Sequence, residues 1–467
     1  MSDPHIDPFL TTSLEAHPAG KKAARILAQS IKGADPARGI RKHVQRVGNA
    51  LLVGEKEYNL DDARRVLLIG FGKASPAMGR ETARLVGDYV SHGILLSKDP
   101  ADPEQTVNAF PEIEIVHAGH PLPDRRGLEG SRAIQELLRS SSENDLVIFL
   151  ISGGGSALLS LPVEGITLQE WITLNEQLLG CGATIQEINT VRKHLSRVKG
   201  GQLARAAAPA AVLNLILSDV VGDPLDMVAS GPTLPDPTTY ADALNIVRGY
   251  RLASRLPSSV VAHLKNGALG KEPETPKPGD PIFKRTQTLI IGSNLQAARA
   301  GLRQARQEGF HTLHLTSAYQ GEAREVGRFL AGVLRHLASN DAPLQRPACL
   351  VAGGEATVTL QKGSGIGRGG RNQELALSSV RDLAGIKNAA LVALATDGND
   401  GPTDAAGAVV SGETWQRGKE MDLLPGDFLA NHNAYAYFDA LGDLLKPGLT
   451  GTNVNDLIFL FTFAGGA

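Results

Sequence analysis

Charged and small side chains suited to handling an anionic substrate stand at the ends of apolar runs throughout this 467-residue chain. GFGKASPAMG, residues 70–79, sets Lys73 among glycines directly after a buried-looking run, where an ammonium can neutralise phosphate oxygens. DLVIFLISGGGSALLS, residues 145–160, ends a strand-like run in Ser152, Gly153, Gly154, Gly155 and Ser156. Without side chains, backbone N–H groups can approach an anion, and a following helix N-terminus adds positive potential. Ser152 and Ser156 are expected to add hydroxyl donors there.

Other residues extend this chemistry. NTVRKHLSRVKGGQLA, residues 189–204, gathers Arg192, Lys193, His194, Arg197 and Lys199, with Val191, Leu195 and Val198 at helical spacing. Its basic face suits a carboxylate or phosphate. LSDVVGDPLDMVASGPT supplies Asp219 and Asp223, and ATDGNDGPTDAAGAVV supplies Asp397, Asp400 and Asp404. A strand-end carboxylate can hold Mg2+ beside substrate phosphates or take the proton of a substrate hydroxyl. AGGEATVTLQKGSGIGRGGRNQELAL, residues 352–377, carries Glu355 and a hairpin-like turn. It then sets Arg368 and Arg371 on either side of a glycine pair before a helix opening at Asn372. A guanidinium there is suited to bidentate contact with phosphate or carboxylate.

Several chemistries fit poorly. The lysine loop lacks the Walker A frame, and Ser75 stands where a dinucleotide fingerprint needs its third glycine. Cys181 and Cys349 are the only cysteines, too few for a disulfide framework or a cysteine zinc site, and no HExxH occurs. Cations, glycine loops and strand-end aspartates together suit phosphoryl transfer, which depends on positioning and charge neutralisation.

The elements that must hold these residues recur as apolar run, small-residue turn and helical stretch, from RVLLIGFGKAS to ALVALATDGNDG. That alternation predicts α/β layers with mostly parallel sheets covered on both faces. In such sheets ligands bind beyond the carboxyl ends of strands, so the strand-end charges predict a shared cleft. The Pro-, Gly- and charge-rich stretch 266–285 reads as a linker. It divides the chain into an N-terminal α/β domain, 1–275, and a C-terminal one, 285–467. Residues 167–208 read as largely helical. Lys plus Arg number 47 and Asp plus Glu 49, a net charge of −2 that points to neither nucleic acid nor a membrane surface. The start of the chain lacks a signal-peptide pattern and no run approaches a membrane span, so a cytoplasmic location is expected.

Taken jointly, SGGGSALL, NTVRKHLSRVKGGQLA, SDVVGDPLDMVASGPT, GGEATV with GRGGRNQELAL, TDGNDGPTDAAGA and TGTNVNDL resemble the glycerate 2-kinases that carry a C-terminal MOFRL domain. The matches run in order from about Lys73 to Asp456. The resemblance implies two Rossmann-like α/β domains with an interdomain cleft, and ATP- and Mg2+-dependent phosphorylation of D-glycerate to 2-phosphoglycerate. It implies active-site roles for Lys73, Arg371, Asp397 and Asn455. Asp219 and Ser152 to Ser156 join them; the residues themselves add Arg192, Lys193 and Glu355 as expected binding groups, and Asp219 and Asp397 as metal candidates. Asn399 departs slightly from the expected small polar residue. Small molecules are the expected partners, with a homodimer as the possible assembly. Two alternatives stay open: an NAD(P)H-dependent hydroxypyruvate reductase, and a non-catalytic sugar-acid-binding protein.

Overall fold

The computed structural model describes residues 5–98, 110–360 and 367–464. The described chain separates into two compact units, 39–291 and 1–38 together with 292–467. The expected linker at 266–285 lies just ahead of the second crossing. The first crossing falls where the sequence reading draws no boundary.

In the unit 39–291, a three-stranded antiparallel sheet comes first: β1 (Val44–Val47), β2 (Ala50–Val53) and β3 (Lys56–Asn59). A six-stranded sheet follows, made of β4 (Arg65–Phe71), β5 (Val90–Lys98), β6 (Ile113–Ala118), β7 (Asp145–Ile151), β8 (Ala211–Leu217) and β9 (Thr286–Gly292). Its spatial order is β6-β5-β4-β7-β8-β9, and the pairings β6–β5, β5–β4, β4–β7 and β7–β8 are all parallel. The chain builds outward from β4 to β6, then returns to the other side of β4 and builds outward again from β7. Strand order therefore reverses between β4 and β7, where loops diverge and leave a crevice at the carboxyl ends. All seven residues of β7 are buried, as its unbroken apolar run requires of a strand covered on both faces. The stretch 167–208 holds the helices Leu168–Gly180, Ile185–Lys193 and Gln202–Ala207, the first two closed by Thr–Glu capping boxes.

The other unit is built on β10 (His311–Glu322), β11 (Ala348–Thr357), β12 (Ala389–Ala395), β13 (Gly407–Ser411), β14 (Leu444–Leu445) and β15 (Asp456–Thr462). Their order is β10-β11-β15-β12-β13-β14. Only β10–β11 is parallel here; the other pairings are antiparallel. The expectation of a mostly parallel sheet thus holds for the first sheet and not for this one. The physical reason is β15, which inserts between β11 and β12 and runs against both. Its first residue, Asp456, pairs with Gly354 on one side and Ala395 on the other. The start of β15 so joins the ends of β11 and β12 at one sheet edge.

The N-terminal helix Gly20–Gly33 belongs to this unit because it lies along the helix Asn294–Gln307. The two backbones approach closely: a Cβ on Gly33 would collide with Ala300, and one on Gly301 with Ser30. Ala23, Ala24, Ile26 and Leu27 are fully buried on the inward face. Ile26→Ala is expected to lower the unfolding free energy by about 2–5 kcal/mol, the range for emptying a packed site. Urea unfolding measures it, and a loss below about 0.5 kcal/mol, the scale of surface changes, would contradict this packing.

Candidate functional site

Two constellations emerge, one within each unit. In the unit 39–291 it lies where β4 and β7 end. The two loops are joined through their backbones: Lys73 N–H donates to Gly153 O at 2.8 Å, and Ser152 N–H donates to Phe71 O at 3.1 Å. Ser152 Oγ accepts from Ala74 N–H at 3.1 Å. Gly72, at φ +124°, admits this approach, since a Cβ there would overlap Ser152.

The triple glycine is required by its neighbours. A Cβ on Gly153 would overlap the Asp219 carboxylate, which arrives from the end of β8. Gly154, at φ +80°, lies against Lys73 and His120: a Cβ there would stand 3.3 Å from Lys73 Cγ and 3.1 Å from His120 Nε2. Gly155 faces Ala229 and Phe71. Lys73, Asp219 and the glycine loop are therefore brought together, with Lys73 and Asp219 half-buried.

Two expectations about this loop need correction. The helix after the glycines spans only Gly155–Leu158, four residues, too few aligned peptides for a strong helix-dipole field. Positive charge nearby comes instead from side chains. The second concerns Ser156. Ser230 Oγ donates to Asn189 Oδ1 at 2.9 Å, so the 2.7 Å contact between the Ser156 and Ser230 hydroxyls uses the Ser156 proton. Ser156 Oγ is left as an acceptor rather than the expected donor.

The basic helix also divides. Lys193 is buried between Asp226, 3.1 Å away, and Asp236, 3.4 Å away, so its charge is spent inside the fold. Its expected place as a ligand-binding residue is therefore filled by a structural ion pair. Arg192 has no acid within ion-pair range among the described residues, and its Nε is buried without a hydrogen-bond partner. Burial lowers its guanidinium to about 10.

In the other unit the constellation gathers at the edge shared by β11, β15 and β12. Arg371 opens the helix Arg371–Leu383 and reaches back to that edge. Its Nε and Nη2 donate to the two oxygens of Asp456 at 2.6 and 3.2 Å, and its Nη1 donates to Glu355 Oε1 at 2.5 Å. Asp400 is buried beneath the same helix start and accepts from Asn372 N–H at 3.0 Å and Gln373 N–H at 2.8 Å. Burial, then the charge of Asp456, pushes Asp400 up to about 7. Burial raises Asp456 to about 6 although Arg371 opposes it.

Asn455, at φ +65°, is fixed by Thr396, whose N–H and Oγ1 both donate to its carbonyl, at 3.2 and 2.6 Å. Asp397 follows Thr396 and is half-buried, its Oδ1 accepting from Asn399 N–H at 3.2 Å. Arg371, Glu355, Asp397 and Asn455 thus share one sheet edge, although Arg371 is already held by two acids. Arg368 stacks 4.0 Å from the Tyr435 ring centre and pairs with Asp404 at 3.2 Å. Residues 361–366 of the expected hairpin lie outside the described residues. Sequence reasoning missed Asp456, Asn189 and Ser230. Each lies in a quoted motif: Asp456 beside Asn455 in TGTNVNDL, Asn189 at the head of NTVRKHL and Ser230 in VASGPT. Among the described residues no three His, Cys, Asp or Glu side chains converge as a metal cage, and no helix is long and apolar enough to cross a membrane.

Known proteins match the chain over almost its full length. Residues 22–265 match the domain of unknown function DUF4147, and residues 348–456 match the MOFRL family. A glycerate 2-kinase of Pyrococcus horikoshii is 39% identical over 93% of this chain and 95% of its own. A D-glycerate 2-kinase of Thermotoga maritima is 40% identical, covering 94% and 97%. A putative hydroxypyruvate reductase of Agrobacterium vitis is 41% identical, covering 84% and 86%. The crystal structure of a Thermotoga maritima glycerate kinase superposes with a TM-score of 0.82 at 38% identity, covering 95% of this chain and 99% of that one.

The raised carboxyls make stability depend on pH with a definite sign. Asp400 titrates at about 7 in the folded chain, against an ordinary aspartate value of about 4 once unfolded. The folded state therefore holds a proton that the unfolded state releases between those values, and stability falls as pH rises through that window. Asp400→Asn keeps an acceptor for one of the two N–H groups and removes the titration. Its urea midpoint is expected to change less between pH 5 and pH 8 than that of the parent chain. An unchanged pH dependence would contradict this.

Proposed function

The chain belongs to the glycerate 2-kinase family, and from that premise we propose that it transfers the terminal phosphoryl group of ATP to the 2-hydroxyl of D-glycerate. The observation that carries the reading is the crevice between β4 and β7, where Lys73, the triple glycine and Asp219 meet. Phosphoryl transfer spreads negative charge over equatorial oxygens, and a cation held there lowers the barrier. The backbone bond from Lys73 to Gly153 fixes where its side chain departs, so little reorganisation is needed during reaction.

The remaining groups take roles suited to their surroundings. Arg371 is oriented by Asp456 and Glu355 and presents a fixed planar cation. Asp219 and Asp397 are the carboxylates proposed for the metal and for the proton of the attacking hydroxyl. Both are hard oxygen donors, as Mg2+ requires. With no protein cage among the described residues, water and phosphate oxygens would complete its shell. Bound there, the metal would neutralise developing charge on the phosphates. Asn455, held by Thr396, is proposed to orient substrate. The net charge of −2 supports small molecules as partners.

A reductase reading meets a specific obstacle. Ser75 occupies the third fingerprint position, buried, with its single hydroxyl proton shared between the Gly72 and Leu96 carbonyls, 2.9 and 3.0 Å from Oγ. Its side chain fills space that a dinucleotide loop keeps free for close helix–strand packing.

Lys73→Ala is expected to fold normally and to lose roughly 10²- to 10³-fold in turnover, the scale for removing one preorganised donor. Lys73→Arg should recover part of this, since a guanidinium is not a substitute for an ammonium. Steady-state ADP release with D-glycerate and MgATP reads the effect, with circular dichroism as the folding control. A folded Lys73→Ala enzyme within about threefold of the parent, far from the expected loss, would remove Lys73 from the mechanism. Hydroxypyruvate-dependent NAD(P)H oxidation, with no ADP release, would favour the reductase.

A further inference from the structure

Four permanent cations stand at the end of the helix Ile185–Lys193 and just beyond it, and two of them pair with acids, Arg197 with Glu164 at 3.4 Å. Lys193 has Asp226 and Asp236. Lys199 is fully buried and donates to the carbonyls of Ser156 at 2.8 Å and Leu159 at 2.9 Å, tying down the turn after the triple glycine. Burial first, and the charge of Arg192 second, hold Lys199 well below the ordinary lysine range. Arg192 is 9% exposed, its Nε is buried and unpartnered, and no acid is within ion-pair range among the described residues. A buried guanidinium without a counter-charge is costly. A fold retains one where a ligand completes it.

Ser156 links this charge to the loop. Its carbonyl accepts from Lys199, and its hydroxyl proton goes to Ser230, which Asn189 orients from one helical turn before Arg192. The Ser156 oxygen thus keeps lone pairs for a ligand hydroxyl, and Arg192 is near enough to Lys199 for its charge to be felt there. We propose that Arg192, supported by Lys199 and Ser156, forms the subsite for the carboxylate of the small hydroxy acid that accepts the phosphoryl group. The assignment rests on the kinase reading and deepens it. Charge decides for a carboxylate over the nucleotide. Two of the three Lys199 donors are spent on carbonyls and Lys73 is assigned to the phosphoryl group, so Arg192 is the one planar fork left, matching one planar monoanion. A triphosphate carries several negative charges and needs more cations than this.

Arg192→Met and Arg192→Lys test the assignment through both Michaelis constants, ligand-free melting and calorimetric titration with D-glycerate in the absence of nucleotide. Arg192→Met is expected to raise KM for D-glycerate by roughly 30-fold or more, the scale for losing a buried charged contact. KM for ATP should stay within about threefold, below that scale. Ligand-free melting should be unchanged or higher, because an unpaired buried charge is gone. Arg192→Lys keeps charge without the fork and should fall between. If the methionine variant does not fold, the lysine variant reads the same split. A raised KM for ATP with unaltered glycerate KM would overturn the proposal in favour of a phosphate subsite. Lower melting with both constants unaltered would overturn it in favour of a structural arginine. Should the parent chain form no ADP from glycerate, the kinase reading fails separately. Calorimetric binding of D-glycerate lost in Arg192→Met would then still support the subsite, and absence of binding to the parent chain would overturn it.

Discussion

The hydrogen bond from Lys73 N–H to Gly153 O is the constraint on which the first constellation depends. It closes the loops after β4 and β7 against each other at the point where strand order reverses. Once they are that close, side chains have no room. Gly72 must avoid Ser152, and Gly153 must avoid Asp219. The glycines that interrupt two buried strands are therefore a packing requirement as much as an anion cradle. The same closeness brings a lysine from one strand end and an aspartate from another to a single loop.

The two units handle buried charge in opposite ways. Around Arg371, acids outnumber the cation: Asp456, Glu355 and Asp400 face one guanidinium, and burial pushes two of the carboxyls up. Arg192 and Lys199, by contrast, have no acid within ion-pair range among the described residues. Unbalanced buried charge is expensive, and a ligand of opposite sign relieves it. The acid-rich edge is relieved by Arg371 and by the protons that burial favours on Asp400 and Asp456, and an acid-free guanidinium suits an anion.

Much of this was legible in the sequence because it rests on local pattern. Unbroken apolar runs ending in Gly, Ser, Lys or Asp marked β4, β7, β8 and β12 and the residues past their ends. What stayed hidden depends on distant neighbours. The run LIFLFTF marks a strand but not its direction, so β15 lying against β11 and β12 was invisible, and with it the role of Asp456. The apolar stripe of Gly20–Gly33 announces a helix without naming its partner, Asn294–Gln307. Arg192 and Lys193 look equivalent in NTVRKHL. The acids that neutralise only Lys193 lie 33 and 43 residues further on. Ser156 was read as a donor because the hydroxyl that takes its proton, on Ser230, lies 74 residues away.

The central claim is that these constellations serve phosphoryl transfer to a secondary hydroxyl, and the product itself tests it most directly. Proton-coupled phosphorus NMR of a reaction with D-glycerate and MgATP distinguishes the outcomes. An ester on the 2-oxygen couples to the single proton on its carbon, so the new phosphorus resonance is expected as a doublet growing with ADP. A triplet would place the phosphate on the terminal carbon and contradict the assigned position. No ester resonance under conditions where the chain turns over hydroxypyruvate with NAD(P)H would contradict the account as a whole.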